Sequence, residues 1–375
     1  QSGPMPEATA ATFAPRGLFG RYLAETLDRA VREAAPGVTL RVVRDTAVAV
    51  EPSGAVRLAG GETIRAERAV LALGQTTGGA LPALADLDPD VLVSDPWAPG
   101  ALSRVAGRVL LIGTGLTMLD VALALAAADV GPMTAVSRRG LVPHSHAPVR
   151  TAGEPAEAPA VDGLSATLRH VRAAADWRAA IDALRPTTAA RWQALSDAER
   201  RSALRHLRPY WDVHRHRAAP DVAAAVAALQ ASGRLTILAG RVASAEAGVD
   251  GVRVRIARRR VNPPGEPGPG LPGGPDPGGG EVRRVFDHVV LCTGARPAWD
   301  TPVVAGLVAA GAARRDALGL GVETDPDGAL VGADGRASGR LFTLGPLRQG
   351  TLWETTAIPE IRVQAAALAT RLVAE

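Results

Sequence analysis

The sequence predicts an α/β protein, and three observations carry that expectation. The stretch "RVLLIGTGLTMLDVALAL" (108–125) reads as an apolar strand, a glycine turn and a helix. A strand, a meander and an apolar strand ending in glycine occur twice, at 40–73 and at 237–293. Between 141 and 233 the pattern is mostly helical, so helices and strands alternate along the chain.

In chain order, "RGLFGRYLAETLDRAVREA" (16–34) is an amphipathic helix with Leu23, Leu27 and Ala30 on one face. "VTLRVVRDTAVAVEPSGAVRLAGGETIRAERAVLALG" then predicts two strands, a hairpin turning at Gly60-Gly61 and an apolar strand that stops at Gly74. After the 108–125 unit comes a second strand, "MTAVS". The helical part contains "TLRHVRAAADWRAAIDAL", "DAERRSALRHL" and "APDVAAAVAALQASG", the last with Asp221 near its start and Gly233 as its stop. "RLTILAGRVASAEAGVDGVRVRIARRR" and "EVRRVFDHVVLCTG" form the second meander. The Pro/Gly-rich "VNPPGEPGPGLPGGPDPGGG" between them cannot pack a core and is expected to be a disordered hairpin tip, over 261–280. A strand, "RLFTLG", and a helix around "IPEIRVQAAALATRLV" close the chain.

Composition narrows the function classes. The 375 residues are enough for two domains or one large one, and 47% are hydrophobic. The apolar runs are short, so no membrane span is expected, and no leader segment is visible. Both suit a cytoplasmic protein. The chain begins with Gln1 rather than Met, which suggests a processed chain or a fragment. Its single cysteine, Cys292, lies in an apolar strand and reads as a small core residue; disulfides, a zinc cluster and a CxxC pair are excluded within the chain. Every basic residue is Arg, so the pI near 10.3 reflects late titration, with a net charge of only +4. Nucleic acid is therefore not an expected partner.

The turn at 113–117 has the chemistry of a pyrophosphate site. Gly113 permits the tight turn and Gly115 lets backbone approach a phosphate. Thr114, Leu116 and Thr117 bring backbone N–H groups to the helix N-terminus. The third glycine of GxGxxG is replaced by Met118, at a position that serves helix–strand packing. A purely structural strand-to-helix turn is the alternative. The second strand ends in Ser137-Arg138-Arg139, where an acidic residue would hold the ribose diol of NAD. Arginine there suits the 2′-phosphate of NADPH, although exposed Arg pairs are common in so Arg-rich a chain.

The pattern resembles flavoproteins with two dinucleotide-binding domains, in which the nucleotide domain is inserted into the FAD domain. More narrowly, "FAPRGLFGRYL", "DPWAPGAL", "LLIGTGLTMLDVAL", "VSRRGLVP", "LRHLRPYWDVHRHRAAPDV" and "TLWETTAIPEIR" resemble the bacterial FAD/NAD(P)-binding family that includes FAD-dependent urate hydroxylase-like proteins. The resemblance implies two nested Rossmann-like domains in three layers. Residues 1–94 would be a partial FAD-binding domain. Residues 95–297 would be an NAD(P)H-binding domain with a helical insertion at 141–233. Residues 298–375 would return to the FAD domain. It also implies that Gly294 and Ala295 close the nucleotide site, and that Arg16, Tyr22, Gly74, Gly345, Pro346, Trp353, Glu354 and Thr355 lie near FAD. Trp353 and Glu354 would pass the isoalloxazine. Two departures stand out: no strand–GxGxxG–helix precedes Phe13, and Pro346 stands where many relatives of the wider group have Asp. The flavin site is therefore expected to be incomplete in the chain as given, which would purify colourless or poorly soluble.

"WDVHRHR" sets His214 and His216 two apart, a spacing that diverges on a helix, and no metal site is expected. Arg208, Tyr210, Trp211, His214 and Arg215 form either a substrate- or NADPH-facing patch or a structural turn. His144 to His146 sit in a Pro-rich loop that is solvated or touches cofactor. No Ser-His-Asp, paired-carboxylate or P-loop pattern appears, as expected where the flavin carries the redox chemistry. The function expected is an FAD-dependent, NADPH-using monooxygenase that takes O₂ and a small-molecule substrate. A flavoprotein reductase and a degenerate nucleotide-binding protein are the alternatives. Nothing in the sequence names the substrate, the catalytic residues or the oligomeric state.

Overall fold

A computed structural model describes residues 8–9, 12–76, 78–79, 81–147, 163–258, 280–294 and 296–374. The expected disordered loop falls outside these residues except for Gly280, which begins the strand Gly280–Phe286. The expected contact at Ala295 also lies outside them.

The fold is mixed α/β, with Rossmann-like parallel strands, as expected. A seven-stranded sheet runs in the order Gly280–Phe286, Gly251–Arg258, Leu235–Gly248, Met133–Ser137, Val109–Ile112, His288–Leu291, Leu92–Val93. The last five pair in parallel and the first three form an antiparallel meander. All four residues of Val109–Ile112 are buried, as a strand covered on both faces requires. Their side chains alternate. Val109 and Leu111 join a core with Met118, Leu119 and Leu125 of the helix Leu116–Ala127 and with Val226 of the helix Pro220–Ala231. Leu110 and Ile112 face Val252, Val254, Ile256 and Phe286 of the meander. The third layer over this sheet is thus the folded-back meander.

The second unit is a three-stranded sheet in the order Ala329–Val331, Ala337–Thr343, Ala69–Leu71. The last two are parallel, and Thr343 Oγ1 donates to the Leu71 carbonyl at 2.8 Å. Helix Pro302–Ala309 covers one face through Val303, Val304 and Leu307; helix Ile358–Ala374 covers the other through Leu368 against Phe342. A small meander, Ala47–Val50, Val56–Leu58 and Thr63–Ile64, precedes Ala69–Leu71, turning at Gly61 with φ +92°. The two meander-then-strand modules are therefore both present. Gln75–Thr76 pairs antiparallel with Arg296–Pro297, so the chain leaves and re-enters the second unit side by side. Leu92–Val93 already belongs to the seven-stranded sheet, although it lies inside the expected first segment, 1–94.

Two elements depart from expectation. The helix forms over Arg16–Arg32, yet none of its residues is buried, and Leu23 and Leu27 are about half exposed. "VTLRVV" forms no strand, and Val38, Leu40 and Val42 are exposed. Its β-branched run has the propensity for a strand, but no described strand pairs with it. In the helical segment, "TLRHVRAAADWRAAIDAL" falls into two helices, Gly163–Ala173 and Trp177–Leu184. Asp176 caps Trp177–Leu184 by accepting from the Arg178 and Ala179 N–H groups.

The layout separates two kinds of leucine. Leu110→Ala removes atoms from a fully buried strand and should cost about 2–5 kcal/mol. Leu27→Glu, on the open helix, should shift stability by no more than about 0.5 kcal/mol. Denaturant unfolding of both variants checks this; equal losses would contradict the layer assignment.

Candidate functional site

The parallel neighbours Val109–Ile112 and His288–Leu291 end side by side, at Gly113 and at Cys292-Thr293-Gly294. The helix from the first strand runs to one side of it and the chain returns on the other, so the crevice between their carboxyl ends is a topological switch point. Gly113 has φ +112°, and a Cβ there would sit 2.2 Å from the Cys292 carbonyl oxygen. Only glycine fits. Gly115 is different: its φ is −81°, and a Cβ would meet nothing within 4 Å. It caps Leu116–Ala127 without a side-chain bond, so the Leu116 and Thr117 N–H groups have no intrahelical partner. Met118 is fully buried beneath the turn, the packing role expected of that position.

A relay of hydroxyls ties this turn to the second strand. The Gly140 N–H donates to Ser137 Oγ at 3.0 Å, Ser137 Oγ lies 2.7 Å from Thr114 Oγ1, and Thr114 donates to the Leu141 carbonyl. Arg138 is exposed and Arg139 half-buried beyond Ser137. Arg139 lies over the ring of Tyr210 at 5.5 Å, so the end of the second strand and the helix Arg208–Arg215 share one surface. Arg16, expected near FAD, ion-pairs with Asp120 of the turn helix at 2.5 Å; Tyr22 is exposed.

The residues expected at the flavin lie across the molecule's second sheet. Gly74 and Gly345 follow its two parallel strands, with φ +65° and +73°. The Gly345 N–H donates to Gln364 Oε1 at 2.9 Å, and Pro346 is buried in a short 3₁₀ turn, Gly345–Arg348. Trp353 then adopts φ 66°, ψ −66°, with the Glu354 N–H bonded to the Leu352 carbonyl at 2.8 Å. This is a γ-turn of the strained kind, on a bulky residue. Glu354 and Thr355 are buried, and Glu354 Oε2 and Thr355 Oγ1 have no hydrogen-bond partner. Glu354 Oε1 accepts from Trp211 Nε1 at 2.7 Å.

Arg185, Trp192 and Glu360, which the sequence did not single out, hold this segment together with Arg215. Glu360 accepts from Arg185 at 2.6 and 3.2 Å and from Arg215 at 3.2 Å, and Arg215 Nε stands 3.7 Å from Glu354. Burial pushes the Glu360 carboxyl up, but Arg185 and the surrounding hydrogen bonds and charges hold it below the ordinary range. Trp192 stacks on Trp353 with centroids 4.7 Å apart. Of the WDVHRHR patch, Trp211 and Arg215 thus face Glu354, while His214 packs on His144 at 4.4 Å. His144 Nδ1 is buried without a partner, and burial, with His214, Arg178 and Arg217 nearby, lowers its pKa to about 4. Cys292 is buried, which raises its thiol to about 12. Among the described residues no group of three or more metal-ligating side chains occurs, and no helix is long and apolar enough to cross a membrane.

With this geometry in place, the chain can be compared with known proteins. Residues 1–76 match a family model described as FAD-NAD(P)-binding. The fold as a whole is similar to that of several monooxygenases and hydroxylases of known structure. L-Lysine 6-monooxygenase from Pseudomonas syringae superposes with a TM-score of 0.61 and 16% identity, over 96% of this chain and 76% of that one. Ornithine hydroxylase (PvdA) from Pseudomonas aeruginosa gives 0.59 and 16%, over the same shares. The ornithine N-hydroxylase of Kutzneria sp. 744, solved with reduced FAD, NADP⁺ and L-ornithine, gives 0.57 and 15%, over 94% of this chain and 76% of that one. At these identities the likeness is one of fold. No curated protein matches the sequence.

The two glycines of the turn should separate in stability. Gly113→Ala combines strain with overlap of the Cys292 carbonyl and should cost roughly 2–6 kcal/mol. Gly115→Ala should cost about 1 kcal/mol or less. Thermal melts of the pair check this, and equal melting temperatures would refute the close contact.

His144 sets a pH window. Its folded pKa, about 4, lies below the unfolded value near 6.5, so between these the unfolded chain binds the extra proton. Stability should fall as pH drops from about 6.5 to about 4, and His144→Gln should flatten that part of the profile. Unfolding midpoints over this range test it; a parallel slope in the variant would remove His144 as the cause.

Proposed function

We propose that the protein is an FAD-dependent, NADPH-using monooxygenase that hydroxylates a small molecule. The observation that carries the reading is the open glycine turn at the switch point, at Gly113 to Thr117, set in a flavin-monooxygenase fold. Leu116 and Thr117 N–H groups would take the NADPH pyrophosphate, with Gly115 leaving room for it, Thr114 and Ser137 bracing the turn, and Gly294 lining the far wall. Arg138 and Arg139 would take the 2′-phosphate. The seven-stranded sheet is then the nucleotide-binding domain, inserted through the paired crossing at Gln75–Thr76 and Arg296–Pro297 into the flavin domain.

The residues present fit the ring end of FAD. Thr355 offers a buried hydroxyl without a partner, beside Glu354 and the Trp353 γ-turn, and Gly74 and Gly345 end adjacent parallel strands. Among the described residues, no glycine turn leading directly into an α-helix follows any of the three strands of that sheet. When bound, the flavin supplies the redox chemistry between NADPH and O₂, and the net reaction is substrate, O₂, NADPH and a proton to hydroxylated substrate, NADP⁺ and water. The chain's own part is to hold nicotinamide and ring in one crevice and to keep water from it with Trp353, Trp211 and the buried Glu354. The urate hydroxylase-like affiliation rests on the sequence stretches alone.

Two measurements test this. Protein saturated with FAD should oxidise NADPH, take up O₂ and add one oxygen atom to its substrate; NADPH oxidation without product oxygenation would leave a reductase instead. NADPH should bind roughly tenfold or more tighter than NADH, through charge-assisted bonds. Arg138→Ala with Arg139→Ala should remove that preference, and Gly115→Val should weaken both cofactors. Equal dissociation constants in the parent protein would exclude the 2′-phosphate assignment.

A further inference from the structure

A cavity of about 260 Å³ lies between the helical segment and the γ-turn. Every charged side chain and hydroxyl on its lining already has a partner within the protein. Arg208 pairs with Asp212 at 3.5 Å, and Arg191 Nε donates to Thr187 Oγ1 at 2.9 Å. Glu199 accepts from Ser196 N and Oγ at 2.8 and 2.7 Å. Thr167 and Thr188 donate to the Gly163 and Leu184 carbonyls, each at 3.0 Å. The Trp192 and Trp211 indole N–H groups are likewise engaged, with the Gly350 carbonyl and with Glu354. The Trp192 and Trp353 rings stack on each other, with Arg200 and Arg208 lying over them at 5.7 and 5.8 Å. The rest of the lining is aliphatic, chiefly Leu164, Leu184, Leu195, Leu207 and Ala203.

We infer that this cavity binds a neutral alicyclic molecule of about ten carbons. The size follows from volume: an apolar cavity of about 150 Å³ holds one benzene, so about 260 Å³ suits roughly ten carbons. The charge follows from the lining. An ion entering the cavity would give up its water and meet only charges that are already paired. A polar purine such as urate would leave most of its donors and acceptors against leucine, at a desolvation cost. The saturated skeleton follows from the rings. A flat aromatic ligand would find the Trp192 and Trp353 rings already stacked and covered, whereas a saturated cage needs no ring face and gains dispersion contact from each leucine methyl it touches. Trp353 lines the cavity, and the next two residues, Glu354 and Thr355, are those that fit the ring end of FAD. That adjacency makes the ligand the candidate substrate, and only this assignment rests on the monooxygenase reading.

Isothermal titration of the full chain with 1-adamantanol tests this without turnover. The same cage serves as a cation in 1-adamantanamine and as an anion in 1-adamantanecarboxylate, and 1-naphthol supplies a flat neutral comparator. 1-Adamantanol should bind at least about tenfold tighter than either ion, with an enthalpy that grows more favourable as temperature rises, as burial of apolar surface requires. 1-Naphthol should bind more weakly than 1-adamantanol. Ala203→Leu, which fills the space, and Leu195→Asn, which puts an amide on its wall, should each weaken 1-adamantanol about tenfold. Equal or tighter binding of either ion or of 1-naphthol would overturn the inference. So would affinity unchanged by both Ala203→Leu and Leu195→Asn; the second variant serves if the first fails to fold. FAD content and NADPH oxidation, measured separately, keep the two proposals apart. Binding of 1-adamantanol in a protein that takes no flavin supports the cavity and counts against the activity. Flavin-dependent oxygenation of an amino acid, with no binding of 1-adamantanol, does the reverse.

Discussion

The crevice depends on an atom that is not there. Because Gly113 lacks a Cβ, the strand Val109–Ile112 can press its turn against the Cys292 carbonyl, and two parallel strands end at the same level. A side chain at that point would push the turn away from the sheet. The helix Leu116–Ala127 would then aim its N-terminus elsewhere, and the relay from Gly140 through Ser137 and Thr114 to Leu141 would be pulled apart. Sheet order, helix direction and the open space above Gly115 all follow from this one approach.

A second constraint joins the helical segment to the C-terminal one. Arg185 and Arg215 come from the helical segment, Glu354 and Glu360 from the chain around the γ-turn. Glu360 serves both arginines, so the four groups form one network. Most of its atoms are withdrawn from water, and losing one partner of such a set typically costs about 3–5 kcal/mol because a charge stays buried alone. Trp211 adds a neutral donor to Glu354. The network joins the two segments that carry Trp192 and Trp353, whose rings stack with centroids 4.7 Å apart.

The parts of the fold legible in the sequence were those written in local pattern. The turn at Gly113, the meander closing on glycine and the stop at Gly233 each depend on residues close in sequence. Asp221 and the Pro220–Ala231 helix are of the same kind. The site beyond the turn was less legible. Arg16 meets Asp120, 104 residues away, and Arg185 meets Glu360, 175 away; no periodicity records such pairs. The γ-turn falls on tryptophan, where composition signals no turn. "VTLRVV" carries a strand's residues, but pairing is a property of a partner, and the helix at Arg16–Arg32 shows an apolar stripe that nothing described covers. The crossing between the two sheets is only two residues on each side, too short for alternation to show.

That short crossing has a mechanical meaning. A segment joined through two unpaired chains could swivel about either of them. Here Gln75–Thr76 and Arg296–Pro297 run antiparallel and pair, so the two chains act as a strap of one ribbon's width. A ribbon bends easily across its face and resists shear in its plane. The pairing keeps the two chains side by side where Gly78 approaches Thr293 and Gly294. The long segment between Thr76 and Arg296 thus leaves and returns at one point, its ends held one strand spacing apart.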